Sequence, residues 1–469
     1  MIHLDLTEQG IKHIHFIGIG GISMSGIAEL LLSFNYIVSG SDTHPSKITE
    51  RLSQKGATIH IGHSSENIQD CDLVVYTAAI KTDNPELKKA RELNIPIIDR
   101  AKMLGLLMKK FTNSIAVSGT HGKTTTTSMV SLILEHSGFQ PTILVGGELD
   151  EIGGNIKIGE SDYLVTEACE YVESFLKFFP TLGIILNIEA DHLDYFRDLQ
   201  HITEAFTKFA RLIPKDGHLV AFHDDENVRL LLPQVDCQVI TYGMKETSDY
   251  MAKNILYNEM GFPSFDVYFR GESLGRFQLS IPGYHNICNA LAAIAATHTL
   301  GAPVEKIREK LNYFRGTHRR FDILGTAGDR TIVDDYAHHP TEIQATLQAA
   351  SKYPHHRLWC IFQPHTFTRT KSLLNDFAVS FHWADKVIIA DIYAAREKDT
   401  GEIHAKDLVH AIRQHHPDVI YMENFEKIAE YLSIHTQPKD LVLTMGAGDI
   451  YKVGEMLLEK LKNTKAAAV

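Results

Sequence analysis

At three places along the chain an apolar, strand-like run stops at a short turn and an amphipathic run follows. In the first, residues 13–19 lead into Gly20-Gly21 and then into an amphipathic run over 24–32. In the second, residues 114–117 lead through Gly119-Thr120-His121-Gly122 into 124–136. In the third, residues 358–362 run into Gln363-Pro364-His365. Strands that alternate with helical patterns build βαβ units around parallel sheets, so the expected fold class is α/β. In such units helix N-termini carry backbone N–H groups that favour anionic ligands.

The remaining apolar runs place further strands at 36–40, 73–77, 163–166, 183–186, 331–333, 387–390 and 441–444. A length of 469 residues suggests three domains, at roughly 100–200 residues each. Residues 104–113 lose strand character and carry Lys109-Lys110, which sets the first boundary. The polar run Arg315-Gly316-Thr317-His318-Arg319-Arg320 sets the second. The expected domains are 1–110, 111–317 and 318–469. No internal repeat is present, and the Ala-rich tail at 465–469 reads as frayed.

Charge narrows the partners. Lys plus Arg is 46 against 58 Asp plus Glu, a net charge of −12, which argues against a nucleic-acid binder. No apolar run approaches the ~18 residues of a membrane span. The first residues lack the pattern of a secretion signal. Five scattered cysteines form no CxxC pair and fit a reducing compartment. The expected location is the cytoplasm, with no membrane partner.

Two glycine clusters carry the chemistry. Gly18-Ile19-Gly20-Gly21-Ile22-Ser23-Met24-Ser25-Gly26 follows a strand and opens a helix, and Asp42 closes the next strand. That resembles a dinucleotide fingerprint, but Ser23 stands where the third glycine belongs. A diphosphate nucleotide fits, or a tight turn with no ligand; read alone, the segment would also allow a nicotinamide-dependent dehydrogenase. In the second cluster, Gly119, Gly122, Lys123 and Thr124 supply a short P-loop. It offers an N–H-lined turn, a cation for β- and γ-phosphates and a hydroxyl for Mg²⁺. Glu167 ends the strand at 163–166, and Asn187, Asp191, His192 and Asp194 follow the strand at 183–186. Acidic residues at such strand ends can hold Mg²⁺. By spacing alone Asp191-His192-Leu193-Asp194 reads as a helix N-cap with acidic first-turn residues.

GTHGKTTTT, EACEYVESF, NIEADHLDYF, GYHNICNALAA, RRFDI, DDYAHHPTE, QPHTFTRT and GAGDIYK occur in this order, after HFIGIGGISMSGIAE. Together they resemble the Mur ligases of peptidoglycan synthesis, from about His13 to Tyr451, and more narrowly the branch that joins L-alanine to UDP-N-acetylmuramate. The resemblance implies an N-terminal Rossmann-like domain for the UDP-sugar, a central P-loop ATPase and a C-terminal Rossmann-like domain. It implies ATP and Mg²⁺ as cofactors and UDP-N-acetylmuramate and L-alanine as substrates, in a monomer or homodimer. A recycling ligase that attaches an intact murein tripeptide is the nearest alternative. The short Tyr171-to-Pro180 segment favours the alanine branch.

Carried over by motif, Gly18, Gly20, Gly21, Ser23 and Gly26 would wrap the UDP diphosphate. Asp42 and the turn Thr77-Ala78-Ala79 would contact uridine or sugar. Gly119, Thr120, His121, Gly122, Lys123, Thr124 and Thr125 would cradle ATP, with Lys123 bridging its β- and γ-phosphates. Thr124 and Glu167 would hold one Mg²⁺ and His192 a second. His285, Asn286 and Asn289 would line the adenine site, and Arg320 would reach the phosphates. Asp335, His338 and His339 would close over the site, and His365 and Arg369 would hold substrate carboxylates or phosphates. The attacking ammonium must lose a proton to His192, His339 or another base. Two positions depart from the pattern: Thr366 stands where some relatives have arginine, and Cys169 where many have aspartate. Lys123→Ala is expected to abolish turnover and leave the fold intact, because the lysine meets phosphate and not a core.

Overall fold

A computed structural model describes residues 10–77, 79–245 and 247–466. Ala78, expected at the UDP-sugar site, lies outside the described residues. Among the described residues there are three sheets, and each explains a pattern in the sequence.

The first sheet has five parallel strands in the order Thr58–Ile61, Ile37–Asp42, His13–Ile17, Leu73–Tyr76, Ile97–Asp99. The chain leaves His13–Ile17 and places its next strands on opposite sides of it. Ligands of open α/β sheets bind at such a switch point. The glycine cluster sits there, entering the helix Ile22–Ser33.

The second sheet has ten strands. Its centre is parallel, with Asn113–Ser118 between Leu182–Ile185 and Tyr163–Glu167. Ile115, Ala116 and Val117 are fully buried, as a strand covered by helices on both faces requires. One end continues as the antiparallel strands Tyr250–Tyr257, Pro263–Phe269 and Glu272–Gln278. In Pro263–Phe269, buried Phe265 and Val267 alternate with more accessible neighbours, the signature of a one-sided sheet. The helices Lys123–His136 and Tyr284–Thr299 share one core on this sheet, with Val130, Ile133, Leu291 and Ile294 buried together.

The third sheet has six strands, in the order Asp322–Ala327, Arg330–Asp335, Leu441–Met445, Leu358–Phe362, Lys386–Ile389, Val419–Tyr421. Only the first pair is antiparallel. Leu358–Phe362 is buried throughout, which explains its unbroken apolar run.

One local reading is corrected. No helix begins at Asp191; that segment is a turn, and the next helix, Leu199–Ala210, is capped by Asp198, which accepts from His201 N–H at 2.8 Å. All five cysteines are free thiols. Among the described residues no helix is long and apolar enough to cross a membrane.

Candidate active site

The phosphate loop is built by two glycines that nothing else could replace. Gly119 has φ 145°, and a β-carbon there would fall 2.8 Å from Leu186 Cβ. Gly122 has φ 85°, and its β-carbon would meet Asn289 Oδ1 at 2.5 Å. The loop is held from the neighbouring strand end. Asn187 Oδ1 accepts from His121 N–H at 2.8 Å, and Asn187 Nδ2 donates to His121 O at 3.1 Å.

Lys123 opens the helix that follows. Its ammonium donates to Gly119 O at 2.5 Å, to Thr120 O at 3.0 Å and to both Glu170 oxygens at 3.0 and 3.2 Å. Burial alone would lower its pKa, but the Glu170 carboxylate outweighs that and raises it. Glu170 is itself only 2% exposed. Sequence reading named Glu167 and passed over Glu170, three residues further on. The Glu167 carboxylate accepts from Gly146 N–H at 2.6 Å. Thr124 faces Gly147, where a β-carbon would lie 3.3 Å from the threonine methyl. His192 adopts φ 53°, with Nε2 3.8 Å from Glu170 and its ring 4.6 Å from that of Tyr171. Burial lowers its pKa, so it is neutral at pH 7.

A cavity of about 420 Å³ opens beside the loop, between the second and third sheets. His121, Gly122 and Thr125 reach it from the loop, and His285, Asn286 and Asn289 from the helix Tyr284–Thr299. Phe222, Tyr242 and Tyr284 give it aromatic walls that sequence reading did not anticipate. Arg320 and Asp335 reach it from the other side. Eight residues expected at the nucleotide from four separate motifs therefore line one cavity. Burial pushes His285 down to about 4, so it meets a ligand as a neutral imidazole.

The two arginines of Arg319-Arg320 part company. Arg319 donates to Asp334 at 2.9 Å and to Gly446 O and Gly448 O, which ties the connection to the third sheet. Arg320 faces the cavity, 3.8 Å from Glu342 and over the Tyr336 ring. Asp335 accepts from Phe321 and Ala337 N–H, both at 2.8 Å, and burial pushes its pKa up to about 6.

Glu342 is the hub that sequence reading missed. It accepts from His338 N–H at 3.0 Å and lies 3.2 Å from His121 Nδ1. Burial opposes its charge, but His338 and His121 hold its pKa well below the usual range. A sequence signal existed: His339-Pro340-Thr341-Glu342 is a capping box, with His339 as N-cap of the helix Pro340–Ala350. His339 Nε2 lies 3.2 Å from Ala190 O, and burial lowers its pKa. Burial brings His338 down to about 3 and His365 to about 4.

The third sheet docks on the second through charge. Arg369 grips Asp191 Oδ1 with two nitrogens at 3.0 Å and donates to His365 Nδ1 at 3.2 Å. Burial opposes the Asp191 charge, but Arg369 keeps its pKa far below the usual range. Thr341 donates to Glu189 at 2.7 Å. A smaller cavity of about 150 Å³ lies at this seam, lined by Asp191, His192, Thr366 and Arg369.

At the first sheet Gly18, Gly20 and Gly21 form the turn as expected. Asp42 Oδ2 accepts from Gly20 N–H at 2.9 Å and so braces the turn. Thr77 packs beside Gly18. Ser23 lies in the first turn of the helix, whose N-cap is Gly21. Gly26 differs from expectation: it lies one turn into the helix, where a β-carbon would sit 3.2 Å from Leu144 and 3.3 Å from Asn155. Close packing on the second sheet accounts for this glycine without a phosphate.

Fold and site define an α/β protein with a P-loop, beside which lies a cavity completed by residues of its last sheet-containing part. Three family descriptions match in order: Mur ligase family, catalytic domain, over 13–112; Mur ligase middle domain over 117–297; and Mur ligase, glutamate ligase domain, over 319–448. A UDP-N-acetylmuramate–L-alanine ligase of Alkaliphilus metalliredigens is 59% identical over 98% of this chain and 99% of its own. One of the same name from Caldanaerobacter subterraneus is 55% identical over 98% of this chain and 100% of its own. Among solved structures, the UDP-N-acetylmuramate–alanine ligase of Thermotoga maritima superposes with a TM-score of 0.81 at 32% identity, covering 97% of this chain and 100% of that one. A murein peptide ligase of Psychrobacter arcticus gives a TM-score of 0.72 at 27% identity, over 97% and 99%. The chain belongs to the Mur ligase family.

Proposed function

We propose that this chain is the ATP-dependent ligase that joins L-alanine to the lactyl carboxylate of UDP-N-acetylmuramate in peptidoglycan precursor synthesis, acting in the cytoplasm. The observation that carries this reading is identity above half, over nearly the full length, with relatives of that name. In this reading domains 1–110, 111–317 and 318–469 bind the UDP-sugar, ATP and the amino acid, and the chain acts as a monomer or homodimer.

A carboxylate is a poor electrophile and must be activated. Its oxygen attacks the γ-phosphorus of ATP, and ADP departs. The neutral amine then attacks the acyl carbon, and phosphate leaves carrying the former carboxylate oxygen. Charge gathers on oxygen in both steps, and preorganised cations lower its cost. Lys123 exchanges Glu170 for the β- and γ-phosphates, and Arg320 approaches from the opposite wall. His285, Asn286 and Asn289 meet the base among the aromatic walls. Arg369 and His365 orient a substrate carboxylate. His192 and His339 are both neutral at pH 7, the form that can take the proton of the attacking ammonium; whichever of them holds a metal ion cannot also be the base, and the proton then passes to another group.

The oxygen donors of Thr124 and Glu167 beside Lys123 suit Mg²⁺, and Glu170 adds a third. His192 would complete a second position as a nitrogen ligand. Bound with ATP, Mg²⁺ supplies neutralisation of phosphate charge.

The test is isotopic. With ¹⁸O in the lactyl carboxylate, one labelled oxygen should appear in each phosphate released. Unlabelled phosphate would remove the acyl-phosphate route.

A further inference from the structure

We propose that His121, Glu189 and His339 form a binding site for one borderline divalent transition metal such as Zn²⁺, distinct from the Mg²⁺ positions and joining the phosphate loop to the last domain. One ligand atom from each lies within 4.8 Å of the others. The three come from three separate segments: the P-loop, the loop after the strand Leu182–Ile185, and the N-cap of the helix Pro340–Ala350.

The donor set decides the class of ion. Two imidazoles and one carboxylate suit Zn²⁺ and its neighbours, whereas Mg²⁺ takes oxygen. The outer shell is also in place. His121 Nδ1 lies 3.2 Å from Glu342 Oε1, the carboxylate–histidine arrangement that fixes a ligand's tautomer and ring orientation. That leaves Nε2 facing Glu189 at 3.5 Å, buried and without a hydrogen-bond partner. Glu189 is oriented in turn by the Thr341 hydroxyl at 2.7 Å. The rings of His121 and His339 are 4.8 Å apart.

Tetrahedral ligands at ~2.0–2.2 Å from an ion stand about 3.4 Å from each other, so the widest separation in the cluster, up to 4.8 Å, closes by at most about 1.4 Å on binding. The ion takes the place of a proton on His121 Nε2. His339 exchanges its contact with Ala190 O, 3.2 Å away, for the metal. Three protein ligands leave a fourth position open to water or a phosphate oxygen. The ion would cross-link the central and last domains and hold them docked.

Co²⁺ reports this directly, because a four-coordinate site gives intense visible bands that hexaaquo Co²⁺ lacks. Titrating the full chain without nucleotide should give such bands saturating at one equivalent, unchanged by millimolar Mg²⁺ and removed by equimolar Zn²⁺. His339→Ala and Glu189→Gln should each abolish the bands. Glu342→Gln should weaken binding 10–100-fold, as outer-shell losses do. Glu189→Gln keeps an oxygen for Thr341, so it reports on the site even if loss of the N-cap unfolds His339→Ala. Absence of the bands in the wild type would overturn the proposal, as would bands that persist in folded Glu189→Gln.

Discussion

Lys123 Nζ lies 3.0 Å from Glu170 Oε2, and the two side chains are 16% and 3% exposed. The P-loop lysine therefore has a buried counter-ion of its own within the protein. This changes the expectation that Lys123→Ala leaves the fold untouched. Removing one member of a buried pair strands the other, at a cost of about 3–5 kcal/mol. Lys123→Ala should abolish turnover and also lower stability measurably, by about 3 kcal/mol. The double variant Lys123→Ala/Glu170→Ala should be more stable than Lys123→Ala alone. Urea unfolding of the four-member cycle checks this; equal stability of the single and double variants would contradict it.

The Arg369–Asp191 pair spans the seam between the second and third sheets. Arg369→Ala leaves a buried carboxylate unpaired next to the small cavity. kcat/KM for L-alanine should fall by at least about 100-fold, the effect of losing a charge-assisted pair of ~3 kcal/mol. Steady-state kinetics at saturating ATP and UDP-sugar measure it, and Arg369→Lys should recover only part of the loss.

Thr366 holds φ 66° and ψ 144°, a region that costs a β-branched residue about 1–3 kcal/mol. It lines the same small cavity as Arg369. Thr366→Gly should relieve the strain and raise stability by about 1 kcal/mol, after the larger chain entropy of glycine is subtracted. Denaturant midpoints of the two proteins decide it.

Acid sensitivity follows from His338. Burial lowers its pKa from an ordinary 6.5 to about 3. The unfolded chain protonates this imidazole between those limits while the folded chain does not. Its contribution is therefore present above pH 6.5 and is lost as pH falls toward 3. His338→Gln should flatten the fall of the unfolding midpoint between pH 6.5 and 4 by about one proton's worth of slope. Calorimetry at several pH values reads this out, and identical slopes would refute it.

Much of this was legible in the sequence because the strands that lead into the turns are largely buried, and so carry apolar stretches such as residues 115–117 and 358–362. His121, Gly122 and Thr125 of the P-loop, His285, Asn286 and Asn289 of a later helix, and Arg320 line one cavity, although their motifs lie far apart in the chain. What escaped is what depends on partners distant in sequence. Glu170 and Glu342 are ordinary carboxylates until the fold sets Lys123 and His121 beside them. Gly26 read as a phosphate glycine, yet its reason lies across an interface with Leu144 and Asn155. Asp191 read as a helix cap, and only docking of the last domain makes it the partner of Arg369.

The most direct test of the account supplies the protein with ATP, Mg²⁺ and UDP-N-acetylmuramate, then with either L-alanine or the tripeptide L-Ala-γ-D-Glu-diaminopimelate. Phosphate release and product mass are followed together. Release that depends on L-alanine, with the mass of the alanyl adduct, is the predicted result. Turnover that prefers the tripeptide, or no turnover with either amine, would contradict it.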